Sequence, residues 1–508
     1  MKKKMLWMLA MLLLLVSAGC SDDSKSDSDN GQKGGETVQV ADDFESRADW
    51  LATAYKKTKP MIASVWNATV NPDDFVMLFV SEDMKTIYLI DDNGKQKVPK
   101  ADWPEAFLND PDELVRGSFL IVKYKGRNSC MILDSRNASM QKMQSFGLAF
   151  NPSEYACDLL ELFYHESFHA YVQDGKNKWV VPPIGSGDEL SREQVFPIIH
   201  EPRIYRKLMV QSLINALNNK DSKTENYSRA KYWLNKFNTD FPKEVARVKE
   251  TDIHEGTAEY FGRTIVKSVY SDYPLMQPFE GPNLAATLST ESYLLSIAIN
   301  LAVSDGRKDE VISCFEKGER SPIDVLLKDV AVPTGYDEKA DKADWDRIMV
   351  VINKMYGPDS PILKPLYDIL AAHRSGSNTY LVTKSRESGM VQGMGSYMLT
   401  DEDVAGYSCE VAATVLLVNV ALEGCTIMWY ASSDANLVPV DAKSMQITNE
   451  MQIDSHPSEL IPGATITSEA TLTSFTPSET VEVRNLPINV EIGSDKFGNK
   501  LIFLKNDK

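Results

Sequence analysis

The most constraining feature of this 508-residue chain is the segment YHESFHAY, which runs from Tyr164 to Tyr171. It places His165 and His169 four residues apart, and Glu166 follows the first histidine. Positions four apart lie on the same side of an α-helix, so a helix would bring both imidazoles to one point. Two converging neutral imidazoles are preferred ligands of zinc, and a glutamate at this spacing is the general base of zinc hydrolases.

The residues around this segment predict that its helix is buried. Apolar side chains surround the motif on almost every side, which is typical of a helix inside a core. A buried cluster of two histidines and a glutamate costs on the order of several kcal/mol of desolvation unless it has partners. A metal ion would remove that cost, and core histidines with local hydrogen bonds are the structural alternative. The flanking residues are Leu159, Leu160, Leu162, Phe163, Tyr164, Phe168, Ala170, Tyr171 and Val172.

A second segment, DIHEGTAEYFG at residues 252–262, offers a third ligand. With the motif, it resembles the gluzincin metallopeptidases, the group that includes thermolysin and the zinc aminopeptidases. The resemblance implies that Glu255 is the third zinc ligand and that Glu259 stands behind a ligating histidine and fixes its tautomer. Arg263, a further turn along, would hold Glu259 ionised. The resemblance extends in general layout over residues 40–373 and does not reach the C-terminal region.

Several alternatives stay open at the third ligand position. Asp252 and Glu255 also fit a capping pattern, in which Glu255 reaches back to the start of a helix. The long interval between His169 and Glu255 leaves intermediate glutamates available, whereas two further histidines lack the family context. These candidates are Glu189, Glu193, Glu201, His200 and His254. For the group that stabilises the reaction intermediate, the sequence does not choose among Tyr260, Tyr293 and Tyr356.

Changes in periodicity divide the chain into regions. Residues 41–150 read as mixed α and β, residues 151–375 as helical, and residues 376–508 as short β-rich runs of a sandwich-like module. We therefore predict an α+β fold, with a zincin-like metallopeptidase domain at 41–375 and an all-β domain at 376–508. The predicted helices cover 154–173, 202–218, 226–240, 252–269, 290–303, 343–356 and a segment near 361–373.

The first twenty residues resemble a bacterial lipoprotein signal. Three lysines precede an apolar run, residues 5–16, that is too short to span a bilayer, and the small residues SAG precede Cys20. The resemblance implies that a lipid on Cys20 anchors the protein in the cell envelope, at the outer membrane; secretion with cleavage after Ala18 is the alternative. Residues 21–40 follow as an acidic flexible tether, which also resembles the export signal of surface-displayed lipoproteins.

Charge and cysteine usage limit the possible partners. The net charge of −18 argues against a nucleic-acid partner, which would require a basic face. The cysteines after Cys20 are scattered without a C-x-x-C pair, so neither a cysteine zinc site nor a redox motif is indicated. Cys409 and Cys425 lie in adjacent strand-like runs and could form a disulfide.

These patterns predict a lipid-anchored, zinc-dependent peptidase that acts on a peptide or protein substrate. His165, His169 and Glu255 would hold zinc, and Glu166 would take the proton from the attacking water. One alternative is a non-catalytic surface binding or adhesion lipoprotein that keeps a structural zinc site, and another is a glycan-binding lipoprotein. The intact Glu166 favours the peptidase, because a structural zinc site has no use for a general base.

Overall fold

The chain folds into two compact units in the computed structural model. The first comprises Met1–Ser186 and Pro202–Asp344, and the second comprises Gly187–Glu201 and Trp345–Lys508. The domain boundary expected at residue 375 stays a prediction. Cys20 and the signal segment lie outside the described residues, as does most of the tether. The described residues are 39–67, 69–145, 149–174, 179, 195–196, 198–276, 279, 290–360, 364–377, 379–384, 395–399, 407–411, 415–422, 425–432, 438–441, 463–478 and 481–504.

The first unit contains a five-stranded mixed sheet. Its strands are β1 (Met77–Val80), β2 (Ile87–Asp91), β3 (Gly94–Lys97), β4 (Phe119–Tyr124) and β5 (Arg127–Leu133). They lie in the order β3-β2-β1-β5-β4, with β1 parallel to β5 and the other neighbours antiparallel. All four residues of β1 are buried, as expected for a strand whose apolar run is covered on both faces.

Helices pack against this sheet, and the chain after the sheet is mostly helical within the described part of this unit. A π-helical turn, His169–Gln173, extends the sixth helix without a break. Short 3-10 turns occupy Lys59–Met61, Pro72–Asp74, Lys100–Asp102, Lys220–Ser222 and Glu338–Asp341. The α-helices are α1 (Phe44–Thr58), α2 (Ile62–Val65), α3 (Glu105–Asn109), α4 (Pro111–Gly117), α5 (Arg136–Ser145), α6 (Pro152–Phe168), α7 (His200–Asn218, in this unit from residue 202), α8 (Lys223–Asp240), α9 (Pro242–Val269), α10 (Thr290–Tyr293), α11 (Ser296–Ser304), α12 (Lys308–Glu316) and α13 (Pro322–Leu326).

The predicted helices are confirmed, with two differences in their limits. The helix expected at 290–303 is interrupted by a turn between Tyr293 and Ser296. The helix expected to begin at Asp252 begins instead at Pro242, whose fixed φ suits the first helical position. Asp252 and Glu255 therefore lie well inside α9. The capping interpretation of Glu255 is wrong for this reason.

The motif helix α6 packs against β5 and α9 at the centre of the first unit. The side chain of Asn151 caps its N-terminus by accepting hydrogen bonds from the backbone N–H groups of Ser153 and Glu154. Buried aromatic rings lock its other end, with the ring centroids of Phe168 and Phe261 4.5 Å apart. The helix that carries the histidines is thus fixed by its cap and by the core.

The second unit combines two helices with a ten-stranded sheet. Its described strands join in the hydrogen-bonded order β12-β14-β15-β7-β11-β10-β9-β8-β6, and β13 pairs with β14. The sandwich-like packing expected of this region stays a prediction. The elements are α14 (Lys342–Tyr356, in this unit from residue 345), α15 (Lys364–Arg374), β6 (Val195–Phe196), β7 (Thr379–Lys384), β8 (Gly395–Leu399), β9 (Tyr407–Val411), β10 (Val415–Leu422), β11 (Cys425–Ser432), β12 (Val438–Asp441), β13 (Thr465–Ser478), β14 (Val481–Ser494) and β15 (Lys500–Leu504).

The backbone register of this sheet separates Cys409 from Cys425. Cys409 lies opposite Val418 and Cys425 lies opposite Leu422, on the two different neighbours of β10. Two strand spacings alone separate their backbones by about 9.6 Å, and the four-residue offset along β10 adds to this, whereas a disulfide allows at most about 7 Å. The disulfide that the sequence left possible is therefore incompatible with this register. None of the described helices combines the length and apolar character needed to cross a bilayer.

Candidate metal centre

Two packed helices bring the predicted ligands together. His165 lies in the last turn of α6, His169 opens the π-helical turn, and Glu255 projects from the middle of α9. All three side chains are buried, with 1%, 4% and 2% of their residue surfaces exposed. Because α6 and α9 pack directly against each other, residues ninety positions apart in sequence become neighbours.

Three potential ligand atoms, one from each residue, form a small triangle. The Nε2 atoms of His165 and His169 are 3.1 Å apart, and Glu255 Oε2 lies 3.3 Å from the first and 3.4 Å from the second. Ligands bound at 2.0–2.2 Å to a tetrahedral zinc ion are separated by about 3.3–3.6 Å. The triangle has nearly the size of three of the four corners around such an ion.

The electrostatics of this triangle favour a positive charge at its centre. Burial alone would raise the pKa of Glu255, but the charge of His169 and hydrogen bonds from both imidazoles hold that pKa well below its usual range. Burial likewise opposes the protonated form of His165, yet hydrogen bonds to Glu161, Glu255 and Glu259 raise its pKa well above the usual value. The surrounding carboxylates thus stabilise a cation, whether a proton or a metal ion.

Carboxyl groups stand behind His165. Glu259 Oε2 lies 3.4 Å from His165 Nδ1 and Glu161 Oε1 lies 3.7 Å from the same nitrogen. Arg263 Nε donates to Glu259, and its charge lowers the pKa of Glu259 although burial opposes this. Gly262 leaves room for the other carboxyl, since a Cβ there would lie 2.8 Å from Glu161 Oε1. The only feature of the sequence that points to Glu161 is its position one turn before His165.

The residue behind His169 is an amide that the sequence analysis missed. Gln173 Oε1 lies 2.5 Å from His169 Nδ1, and Gln173 is 1% exposed. The only signal in the sequence is the spacing of four residues. Carboxylates thus lie 3.4 and 3.7 Å from Nδ1 of His165, whereas a neutral amide lies within hydrogen-bond distance of Nδ1 of His169. In both cases the Nε2 atom faces the triangle.

Glu166 lies beside the triangle and is 2% exposed. One of its carboxylate oxygens lies within 4.8 Å of ring nitrogens of both His165 and His169. Burial raises the pKa of Glu166 to about 7, while the two histidines oppose that rise. A carboxyl group that titrates near neutral pH and borders a metal site can accept a proton and return it.

One of the three candidate tyrosines borders this site. The ring centroid of Tyr293 lies 5.3 Å from that of His165. Burial, followed by the charges of Glu255 and Glu166, raises the pKa of the Tyr293 hydroxyl well above its ordinary value, so it stays protonated. Tyr260 instead packs near Trp66, and Tyr356 belongs to the second unit.

Of the other candidates for the third ligand, those that the structure describes do not join the triangle. The ring centroid of His254 lies 6.2 Å from that of His169 in a near-parallel orientation, so this ring stacks beside the site. Glu201 is exposed at the start of α7, and both it and His200 belong to the second unit. Glu189 and Glu193 lie outside the described residues.

Comparison of the chain with protein-family models, with curated proteins and with solved structures gives no match.

Proposed function

We propose that this protein is a zinc-dependent peptidase of the gluzincin type and that its first unit is a zincin-like domain. His165, His169 and Glu255 are the metal ligands in this proposal. The observation that carries it is the triangle of two imidazole nitrogens and one carboxylate oxygen, 3.1–3.4 Å apart, with Glu166 alongside. Two neutral histidines and a glutamate form the ligand set of several catalytic zinc sites.

The donor set supports a transition metal such as zinc over magnesium and calcium. Imidazole nitrogen suits zinc, copper, iron and nickel, whereas magnesium and calcium prefer sites made of oxygen ligands alone. The separations within the triangle match a tetrahedral ion with a fourth position left over. When bound, zinc would supply Lewis-acid activation of water and of the scissile carbonyl group.

The protein's own groups account for the proton movements. Glu166 accepts a proton from the attacking water as the water oxygen bonds to the carbonyl carbon. Glu166 then returns that proton to the amine nitrogen as the carbon–nitrogen bond breaks, so a peptide and one water become an acid and an amine. Tyr293, which stays protonated, donates a hydrogen bond to the carbonyl oxygen as negative charge develops there.

The proposal places this activity at the cell envelope. A lipid on Cys20 would anchor the chain in the outer membrane, and the acidic tether at residues 21–40 would hold the folded units away from the bilayer. Peptides or proteins outside the cytoplasm are then the available substrates.

The complete burial of the ligands favours one second candidate. Structural zinc sites are closed, whereas catalytic sites keep an open position, and all three ligands here are at most 4% exposed. A non-catalytic surface binding or adhesion lipoprotein with a structural zinc ion would show such burial. The presence of Glu166 beside the triangle is what ranks this candidate second.

Zinc content and peptide hydrolysis, measured on the same preparations, test the proposal. We expect about one zinc per chain in the parent and a clear loss in Glu255→Ala. Glu166→Gln should keep its zinc and hydrolyse a mixed library of quenched fluorescent peptides roughly 10²–10⁴-fold more slowly than the parent. Glu225→Gln, on an exposed site of α8, is the matched control and should behave like the parent.

The outcomes separate the two candidates. A parent that binds zinc without hydrolysing any peptide would support the binding or adhesion protein. A parent without zinc, even after reconstitution, would reject both.

A further inference from the structure

The π-helical turn after the motif places Gln173 against a metal ligand. The backbone N–H of Asp174 donates to the carbonyl of His169 at 2.9 Å, five residues earlier, which widens the helix at this point. π-helical turns are rare and occur frequently at functional sites; this one forms the last turn of the helix. Here the widened turn carries the Gln173 amide under the His169 ring, at 2.5 Å.

Both ends of the Gln173 amide have buried partners, and together they define its orientation. Gln173 Nε2 donates to Thr257 Oγ1 at 2.8 Å and to the carbonyl of His254 at 2.9 Å. The reversed amide would point its oxygen at the His254 carbonyl, which can only accept. Because Thr257 Oγ1 already donates to the carbonyl of Ile253 at 2.6 Å, it too is an acceptor for Gln173.

This orientation determines the tautomer of His169. With Gln173 Oε1 facing Nδ1, that nitrogen must carry a hydrogen, and in the neutral ring Nε2 then keeps its lone pair. The lone pair then faces His165 Nε2 and Glu255 Oε2. Thr257 and the His254 carbonyl both belong to α9, the helix that carries Glu255. The Gln173 amide therefore connects His169 to the helix of Glu255.

We propose that Gln173 is a positioning residue that fixes the tautomer and the position of His169 without adding charge to the metal centre. The inference rests on the proposed function, since it assigns a role toward a metal held by His165, His169 and Glu255. Behind His165, the charge of Glu259 is balanced by Arg263. With a neutral amide behind His169, Glu259, Arg263 and Gln173 together carry no net charge, so Gln173 would not reduce the Lewis acidity of a bound cation.

Zinc affinity tests this role by a measurement other than activity. Zinc dissociation constants, determined by competition with a chromogenic chelator, should rise by roughly 10–100-fold in Gln173→Ala. Thr257→Val, which removes one anchor of the amide, should weaken zinc binding by a smaller factor. Gln173→Glu adds a negative charge and should bind zinc at least as tightly as the parent, but with lower kcat. Gln211→Ala, a partly buried glutamine of α7, is the control and should match the parent.

Nuclear magnetic resonance of the metal-free protein gives a second measurement. The ¹⁵N shifts of the His169 ring should report a hydrogen on Nδ1 in the parent and a loss of that preference in Gln173→Ala. Circular dichroism and thermal unfolding establish that each variant is folded, and Gln173→Glu serves as the folded comparison if the alanine variant does not fold.

The results separate this inference from the proposed function. If the parent binds zinc and folded Gln173→Ala binds it equally well, the positioning role is rejected and the peptidase proposal stands. If the parent binds no zinc, the proposed function fails. The ring tautomer then decides alone: a hydrogen on Nδ1 in both proteins overturns the role of Gln173, and its loss in the variant supports it.

Discussion

Two buried clusters of charged side chains lie one turn apart on α9, around Asp252 and around Glu255. Their charges are balanced in different ways. Asp252 receives two hydrogen bonds from Arg206, at 2.6 and 3.0 Å, and one from Ser292 at 2.7 Å. The same arginine donates to Glu291 at 2.7 Å, and Lys207 Nζ lies 3.6 Å from that carboxylate. Two cations thus face two anions inside the protein.

The cluster at Glu255 differs in its inward-facing atoms. The two ring nitrogens and the carboxylate oxygen converge on one point, and no arginine or lysine of the described residues pairs with Glu255 in the way that Arg206 pairs with Asp252. The Asp252 cluster balances its charges with its own side chains, whereas in our proposal a bound metal ion completes the Glu255 cluster. Burial alone therefore does not single out a candidate metal site; the convergence of several potential ligand atoms does.

The largest effect is expected from Arg206→Met in the self-balanced cluster. The substitution leaves Asp252 and Glu291 buried without their main partner, which should lower the free energy of unfolding by about 3–5 kcal/mol. Urea unfolding followed by circular dichroism measures this change. Arg136→Met is the control, because Arg136 pairs with Asp42 near the surface, where water screens the pair, and its loss should cost far less than that of Arg206. Equal losses of unfolding free energy in Arg206→Met and Arg136→Met would contradict the distinction between a buried and an exposed ion pair.

Metal removal should act on the other cluster alone. With free zinc at about 100 times its dissociation constant, the parent should gain about 2.7 kcal/mol in the free energy of unfolding over chelator-treated protein. Glu255→Gln should lose most of this gain, because an amide replaces the charged ligand. The Asp252 cluster is intact in both proteins and should contribute equally. A zinc-dependent gain of the same size in Glu255→Gln would show that zinc binds elsewhere.

Local spacing predicts much of this fold. Apolar periodicity predicts α7, α8 and α6 with its π-helical turn within three residues of their ends, because each of these helices buries many of its own side chains. The start of α9 was misplaced because residues 242–251 are mostly polar, and Asp252 looks like a cap in isolation. Its partner Arg206 lies 46 positions earlier in the chain, and no local pattern reports that contact.

The residues of the candidate metal centre are also predictable in part from the sequence. The spacing of four places His165 and His169 on one side of a helix, and the E-G-x-A resemblance singles out Glu255. Gln173 was not predicted because a glutamine four residues after a histidine is common in helices, and its contacts with Thr257 and the His254 carbonyl are tertiary. Choosing Tyr293 among the tyrosines requires knowing where α10 packs, which is a tertiary property.

A moderate effect is expected from Ser292→Ala. Its hydroxyl donates to the buried carboxylate of Asp252, so its loss should cost about 1.5 kcal/mol in the free energy of unfolding. The zinc dissociation constant should not change, because the Asp252 cluster is closed independently of the metal. Urea unfolding and chelator competition on one preparation measure both quantities. A weakened zinc affinity at unchanged stability would mean that the two clusters are coupled.

The smallest effect on stability is expected for a comparable pairing of opposite charges at the surface. Hydrogen bonds from Arg307 and Lys328 lower the pKa of Glu310 to about 2. The folded state therefore binds fewer protons than the unfolded state, so the stabilisation is present above the ordinary glutamate pKa and is lost as the pH falls towards about 2. Glu310→Gln should cost about 0.5 kcal/mol near neutral pH, with the difference from the parent shrinking in acid and in high salt. Urea titrations at several pH values measure it, and a cost that is independent of pH would mean that Glu310 stabilises the fold by packing. The pairing is similar to that of Asp252, but exposure to water reduces the cost of losing a partner several-fold.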